Sequence, residues 1–98
     1  MQRFLTTLKF TDQGIQHIKD TCRRTDAFKE AARQMGARVR DIYWTLGSFD
    51  GIAIIDAPDE ETATAVMLYV GSKGSVQTQT CRAYTATEIQ DVLAKLPE

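Results

Sequence analysis

His17 is the only histidine in the chain, and therefore the only side chain whose ordinary pKa suits it to carry protons near neutrality. A carboxylate to work beside it is offered by Asp50, which closes the segment Gly47-Ser48-Phe49-Asp50. At the rim of a cavity Asp50 would serve as a general base. In a turn the same carboxylate accepts backbone N–H bonds and has no chemical role. His17 lies two residues after Ile15 on a helical stretch, about 200° round the axis from the apolar stripe. That favours an exposed or interfacial ring, unless a distortion near Gly14 turns it toward the sheet edge. Tyr43 and Thr45, with Thr78 and Thr80, form two polar rows on strand-like segments, and Thr6, Arg82 and Tyr84 can extend them. If the rows meet, they supply orienting hydrogen bonds to a ligand in a small polar-apolar pocket. If they do not, they are cross-strand pairs or an exposed edge. Arg23 and Arg24 are suited to an anion, although arginines beside a helix cap are commonly just solvated.

Other chemistries lack their residues. Cys22 and Cys81 have no CxxC spacing, and His17 precedes both, so neither a metal site nor a disulfide is expected. Both are read as free thiols acting as small core residues. There is no phosphate-binding glycine loop, no dinucleotide fingerprint, no nucleophile elbow and no HExxH helix. No cofactor is expected.

Charge and length set further bounds. The 98 residues give room for one domain, 1–98. Twelve basic and 13 acidic residues leave a net charge of −1, so no basic excess is available for phosphates, and nucleic acid is not an expected partner. The apolar run Ile52 to Ile55, like every other in the sequence, is far short of a bilayer span, and no membrane role is expected. The segment Met1-Gln2-Arg3-Phe4 lacks the shape of a signal peptide, which leads to the expectation of a cytoplasmic protein.

The elements that must position these groups follow from hydrophobic period. Phe4 to Phe10 alternates as a strand. Thr11 or Asp12 caps a helix opening at Gln13, with Ile15, Ile18 and Cys22 on one stripe and Ala27, Phe28, Ala31, Ala32 and Met35 on another. Cap residues between Thr21 and Asp26 predict a break there, with a restart near Thr25. Gly36 ends the helix. Arg38 to Leu46 is a second strand on which Tyr43 and Trp44 point to opposite faces, Trp44 sharing parity with Ile42 and Leu46 as core. Gly47 supplies the positive φ of a hairpin into Gly51 to Asp56, whose apolar run suits a central strand. Pro58 and the acidic residues after it start a helix that buries Ala63, Val66, Met67 and Val70, and Gly71 and Gly74 close it. Val76 to Tyr84 is the fourth strand. Thr85 to Glu88 reads as a capping box for a last helix through Leu96, with Ile89, Val92, Leu93 and Leu96 as its stripe.

The order is βαββαβ plus a C-terminal helix, an α+β ferredoxin-like arrangement with helices on one face of a four-stranded antiparallel sheet. Whichever parity meets the helices, the other face keeps large apolar residues: Tyr43 or Trp44, Leu5 or Phe4, Ile54 or Ile55. A patch of that kind marks an interface. The expected assembly is a homodimer closing sheet on sheet into a dimeric α/β barrel.

The segments Thr11-Asp12-Gln13-Gly14-Ile15, Arg24, Ile42 to Asp50, Ala57-Pro58-Asp59, Thr78-Gln79-Thr80 and Arg82-Ala83-Tyr84-Thr85 together resemble the GYD-domain family over nearly the whole chain. The signature Gly-Tyr-Asp is matched loosely by Gly47-Ser48-Phe49-Asp50, where Phe49 stands for the usual Tyr and removes any role for a phenol hydroxyl. The resemblance implies the dimeric α/β barrel and leaves function unassigned. The leading expectation is a homodimeric binding module holding a small organic molecule or metabolite between sheet and helices. A cofactor-independent oxygenase or isomerase using His17 or Asp50, and a partner-binding protein without a pocket, are the alternatives.

Overall fold

The computed structural model describes residues 1–98. Strands β1 (Gln2–Phe10), β2 (Arg38–Trp44), β3 (Gly51–Ala57) and β4 (Val76–Ala83) form one antiparallel sheet in the order β2-β3-β1-β4. Helices α1 (Asp12–Gln16), α2 (Thr21–Gln34) and α3 (Glu60–Ser72) join them, and α4 (Ala86–Leu93) is the last element. The fold is therefore α+β and ferredoxin-like, with the helical crossovers over one face: α2 lies over β2, and α3 over β3 and β4. The expected central place of β3 follows from its burial, since Gly51, Ala53, Ile55 and Ala57 are all buried toward the helices.

Register assigns the faces. Phe4, Thr6 and Leu8 of β1 stand opposite Ile55, Ala53 and Gly51 of β3, and all six are buried. Phe28 and Ala32 of α2 and Ala63 and Val66 of α3 complete this core. Each fully buried aliphatic such as Ile55 or Val66 contributes roughly 1.5–3 kcal/mol. The other face carries Leu5, Ile54, Ile52, Thr7 and Tyr43, none of them buried. No helix is long and apolar enough to cross a membrane.

Several boundaries differ from the sequence expectation. The helical break falls at His17 to Asp20, where a short 3-10 turn (Ile18–Asp20) separates α1 from α2. It does not fall between Thr21 and Asp26, because Thr25 turns its hydroxyl back onto the Thr21 carbonyl and stays inside the helix. Strand β2 ends at Trp44, two residues early, and Leu46 is fully exposed in the turn. Trp44 is not ordinary core: it lies on the helix side but is 42% exposed. Both cysteines are free, and both are exposed instead of buried. Cys81 pairs with Leu5 across the sheet, so its parity places it on the open face. Helix α4 stops at Leu93, short of Leu96.

Candidate functional site

A cavity of about 380 Å³ opens between the helices and the end of the sheet where β1 runs out and β2 stops. Its floor is apolar. The Phe10 and Trp44 rings stack with centroids 5.4 Å apart and planes 11° from parallel, and Leu8 and Ile42 continue the surface. Phe28 of α2 and Val70 of α3 form the walls. The rim is polar, with His17, Asp20, Arg24 and Lys73 around the mouth.

Local chemistry explains how each part is held. Asp50 clamps the last residue of β1. Its carboxylate accepts the Phe10 N–H at 2.8 Å, and its own N–H donates to the Leu8 carbonyl at 2.8 Å. Gly51 lies opposite Trp44 in the ladder, and a Cβ there would meet the indole at 2.9 Å, so only glycine lets the ring lie flat beside the strand. Thr11 caps α1 by accepting the Gly14 N–H at 3.1 Å. Gly14 packs so closely on the Ser75 carbonyl that a Cβ would come within 2.1 Å of the oxygen. His17 sits on the break after α1, with φ −115° and ψ 36°, and that break turns it to the cavity mouth. Arg24 reaches back from α2 and donates to the His17 carbonyl at 2.9 Å and the Gly14 carbonyl at 3.4 Å, bracing the break. The Lys73 ammonium sits 4.6 Å over the Tyr69 ring.

The residues singled out from sequence fall in five places. His17 lines the cavity just described. Asp50 faces the backbone of β1, and its carboxylate is engaged in holding the strand. Thr78 and Thr80 lie on the helix side of β4, where Thr80 and the fully buried Thr6 share a hydrogen bond of 2.8 Å and Thr6 also reaches the Met67 sulfur. They line a second hollow of about 440 Å³, more open to solvent, with Phe4, Met67 and Arg82. Tyr43 stands on the opposite face of the sheet beside Ile52 and is 57% exposed. Thr45 lies in the hairpin and donates to the Phe49 carbonyl at 2.7 Å. The two polar rows therefore do not meet. Parity separates Tyr43 from Thr78 and Thr80, and the early end of β2 removes Thr45 from both faces.

Phe10, Phe28 and Lys73 were missed as site residues. The pairing of β1 and β2 across β3 places Phe10 and Trp44 at the same end of the sheet and on the same side. Aromatic residues at matched strand ends were the available signal. No group of three or more His, Cys, Asp or Glu side chains is placed to hold a metal ion.

A second constellation lies at the other end of the molecule. Asp56 accepts from Arg3 at 3.0 Å and from Arg40 at 3.2 Å, and the Arg3 hydrogen bond, with help from Arg40, holds its carboxyl below the usual aspartate range. Arg40 is the extra residue of a bulge between Val39 and Asp41, which brings it to Asp56. Arg82 donates to Glu88 at 3.0 Å and lies over the Phe4 and Tyr84 rings, fixing the direction in which α4 leaves the sheet. The Thr85 N–H, then Arg82, holds the Glu88 carboxyl low. The capping box expected at Thr85 and Glu88 is formed in full.

The GYD domain model matches residues 4–93. A protein of Thermus thermophilus named "Glutamine synthetase and cystathionine beta-lyase binding protein" is 32% identical over 97 residues, which is 98% of this chain and 99% of that protein. Among solved structures, TTHA0845 from Thermus thermophilus superposes with a TM-score of 0.57 at 22% identity, covering 88% of this chain and 96% of that one. MtbAldR gives a TM-score of 0.63 at 15% identity over 86% of this chain, which spans about half (53%) of that protein. An ACT domain protein from Streptococcus pneumoniae gives 0.50 at 16% identity over 85% of this chain and 90% of that one. At these identities the solved structures establish the shared ferredoxin-like, ACT-like fold and nothing more. With its family model spanning nearly the whole chain and a full-length relative at this level of identity, the chain belongs to the GYD domain family.

Proposed function

We propose that the chain is a cytoplasmic, single-domain, homodimeric binding module that takes a small organic molecule into the cavity floored by Phe10 and Trp44. The observation that carries this reading is the cavity itself. It falls in the size range of ligand pockets, it is mostly apolar, and a few polar groups gather at its mouth. His17 is the residue proposed to orient the ligand by a hydrogen bond. Binding is favoured over proton-transfer catalysis because the Asp50 carboxylate is committed to the backbone and no carboxylate forms an ion pair with His17. Thr78 and Thr80 would serve the second hollow, and Tyr43 the subunit interface.

The dimer is supported by the open sheet face. Leu5, Ile52 and Ile54 lie there in a contiguous, incompletely buried row beside Tyr43. Shape supports it too. The radius of gyration is 14.9 Å, against about 12.6 Å for a compact chain of this length. The excess is consistent with α4, none of whose residues is buried.

A second reading, docking onto a larger enzyme, is favoured by the name of the Thermus relative, which describes a protein that binds two enzymes. The two readings are compatible, since a ligand in the cavity can regulate docking elsewhere on the surface. Native mass spectrometry of protein purified from its own host tests the leading reading. A dimer carrying additional small-molecule mass is the expected result. A monomer at micromolar concentration overturns the assembly. A dimer from which mild desolvation never yields a bound small molecule, and which no metabolite extract loads, overturns the cavity's role.

A further inference from the structure

The rim of the cavity has a charge imbalance that narrows the ligand class. Its one acidic residue, Asp20, is already paired, with Arg23 at 3.1 Å. Its two cations have no carboxylate partner. Arg24 donates only to the backbone carbonyls of Gly14 and His17. A guanidinium has five N–H donors, so several remain for a ligand. Lys73 rests on the Tyr69 ring, where cation–π attraction holds the ammonium near the mouth without neutralising it. The remaining ion pairs of the chain lie elsewhere and draw on neither residue.

Below these cations the surface changes character completely. Phe10 and Trp44 stack nearly parallel, and Trp44 is 42% exposed. A flat ring can therefore extend the stack, as aromatic groups prefer in offset geometry. A volume of about 380 Å³ is at the low end for ligand pockets and suits a small molecule better than a nucleotide cofactor.

Resting on the cavity reading above, we infer that the ligand is a small organic anion, with a flat apolar body against the Phe10–Trp44 stack and a carboxylate at the rim between Arg24 and Lys73. Low dielectric beneath the rim strengthens such pairing relative to open solvent. The arginine supplies directional hydrogen bonds, and the lysine a mobile point charge.

A matched pair of probes tests this, 2-naphthoate and 2-naphthamide, which differ in charge but hardly in shape. Trp44 is the only tryptophan in the chain, so its indole N–H gives one resonance that reports on the cavity floor. Both probes are titrated against the dimeric protein while that resonance is followed. The expected result is naphthoate binding about tenfold more tightly, as a charge-assisted hydrogen bond allows. The preference should shrink as salt is raised. Lys73→Gln and Arg24→Gln should each remove most of the preference, read as the ratio of the two affinities within each variant. Lys73 is exposed, so its variant keeps the test intact even where Arg24→Gln weakens the helical break. Equal affinities for the two probes, or a preference that survives both substitutions, overturn the anion assignment and leave the cavity in place. Failure of both probes to move the Trp44 resonance overturns the cavity reading, and the anion assignment with it.

Discussion

The Asp50 carboxylate accepts the Phe10 N–H at 2.8 Å, and through that bond the hairpin after β2 fixes an aromatic ring contributed by β1. The same residue donates its own N–H to Leu8, so two hydrogen bonds extend the β1–β3 ladder past its last regular pair, Leu8 with Gly51. Phe10 in turn stacks on Trp44. The acidic residue of the signature-like segment thus acts on the cavity indirectly, by setting where its floor lies.

Replacing Asp50 separates this role from a catalytic one. Asp50→Ala leaves a half-buried N–H without its partner and should cost about 1–2 kcal/mol. Asp50→Asn keeps an acceptor oxygen and should lie much closer to the parent. Urea denaturation measures the stability, and Trp44 emission reports whether the stack has loosened. Asn and Ala variants of equal stability would show that the hydrogen bond to Phe10 contributes nothing.

Two glycines frame the cavity with different tolerances. At Gly51 an added methyl meets the Trp44 ring edge at 2.9 Å and the Tyr43 carbonyl at 3.1 Å, and the partly exposed ring has solvent on one side into which it can shift. Gly51→Ala should cost about 1–3 kcal/mol and shift the Trp44 indole resonance. At Gly14 the methyl meets a backbone carbonyl at 2.1 Å, so α1 itself must move away from the start of β4. Gly14→Ala should be the more damaging, at roughly 3 kcal/mol or more. Thermal melts of the two variants give the ranking, and a reversed order would mean that α1 yields more easily than the indole.

The fold was legible in the sequence because strand and helix periods were clean and caps or glycines marked most ends of the longer helices, the start of α2 excepted. Asp59 caps α3 and Thr85 caps α4 as residue type suggests, and Gly36, Gly47 and Gly74 all adopt positive φ. The site was less legible. A strand pattern gives parity but not where the strand stops. Ending β2 at Trp44 turns Thr45 into a turn residue and leaves the indole at a cavity edge. The distortion near Gly14 that would turn His17 is real, but the cap-type residues between Thr21 and Asp26 suggest a later break and instead serve inside α2. Lys73 and Arg24 come together only through the docking of α2 and α3 at one end of the sheet, a tertiary fact with no periodic signal.

The open sheet face makes a direct prediction about assembly. Ile54 lies in the middle of that face between Leu5 and Asp41, and it points away from the core formed by Ile55. Ile54→Asp should therefore leave the monomer fold intact while burying an unpaired carboxylate in the dimer. A penalty of about 3 kcal/mol or more would raise the dissociation constant over 100-fold. Arg23→Ala removes one exposed pair with Asp20 and should change association little. Sedimentation velocity across a dilution series distinguishes the two variants. An Ile54→Asp protein that stays dimeric would place the interface elsewhere.

Acid stability should carry the mark of Asp56. Its side chain is 13% exposed and accepts from Arg3 and Arg40, and these donors hold its folded pKa below the ordinary value. A lowered carboxylate pKa means that the stabilisation is complete above the ordinary aspartate range, near 3.9, and is lost as pH falls through the folded value. Asp56→Asn should be less stable than the parent at pH 7, and the gap should narrow as pH falls below about 4. Urea midpoints of both proteins between pH 7 and pH 3 measure it. A gap that stays constant across that range would assign the loss to packing instead of charge.

Helix α4 provides the last test, because its stability has no evident source within one chain. Ile89, Val92 and Leu93 form an apolar stripe, yet they are 39%, 40% and 54% exposed, and an eight-residue helix in isolation is marginal in water. The capping box and the Arg82–Glu88 pair fix where α4 begins, but they cover none of the stripe. If a second copy covers it, the Ile89→Ser, Leu93→Ser double variant should lose the rise of melting temperature with protein concentration that a dimer shows. The parent should keep that rise. Parent and variant should then converge at high dilution, where both are monomeric. A loss of stability of the same size at every concentration would instead mean that α4 packs on its own chain in solution, and that the dimer is held by the sheet face alone.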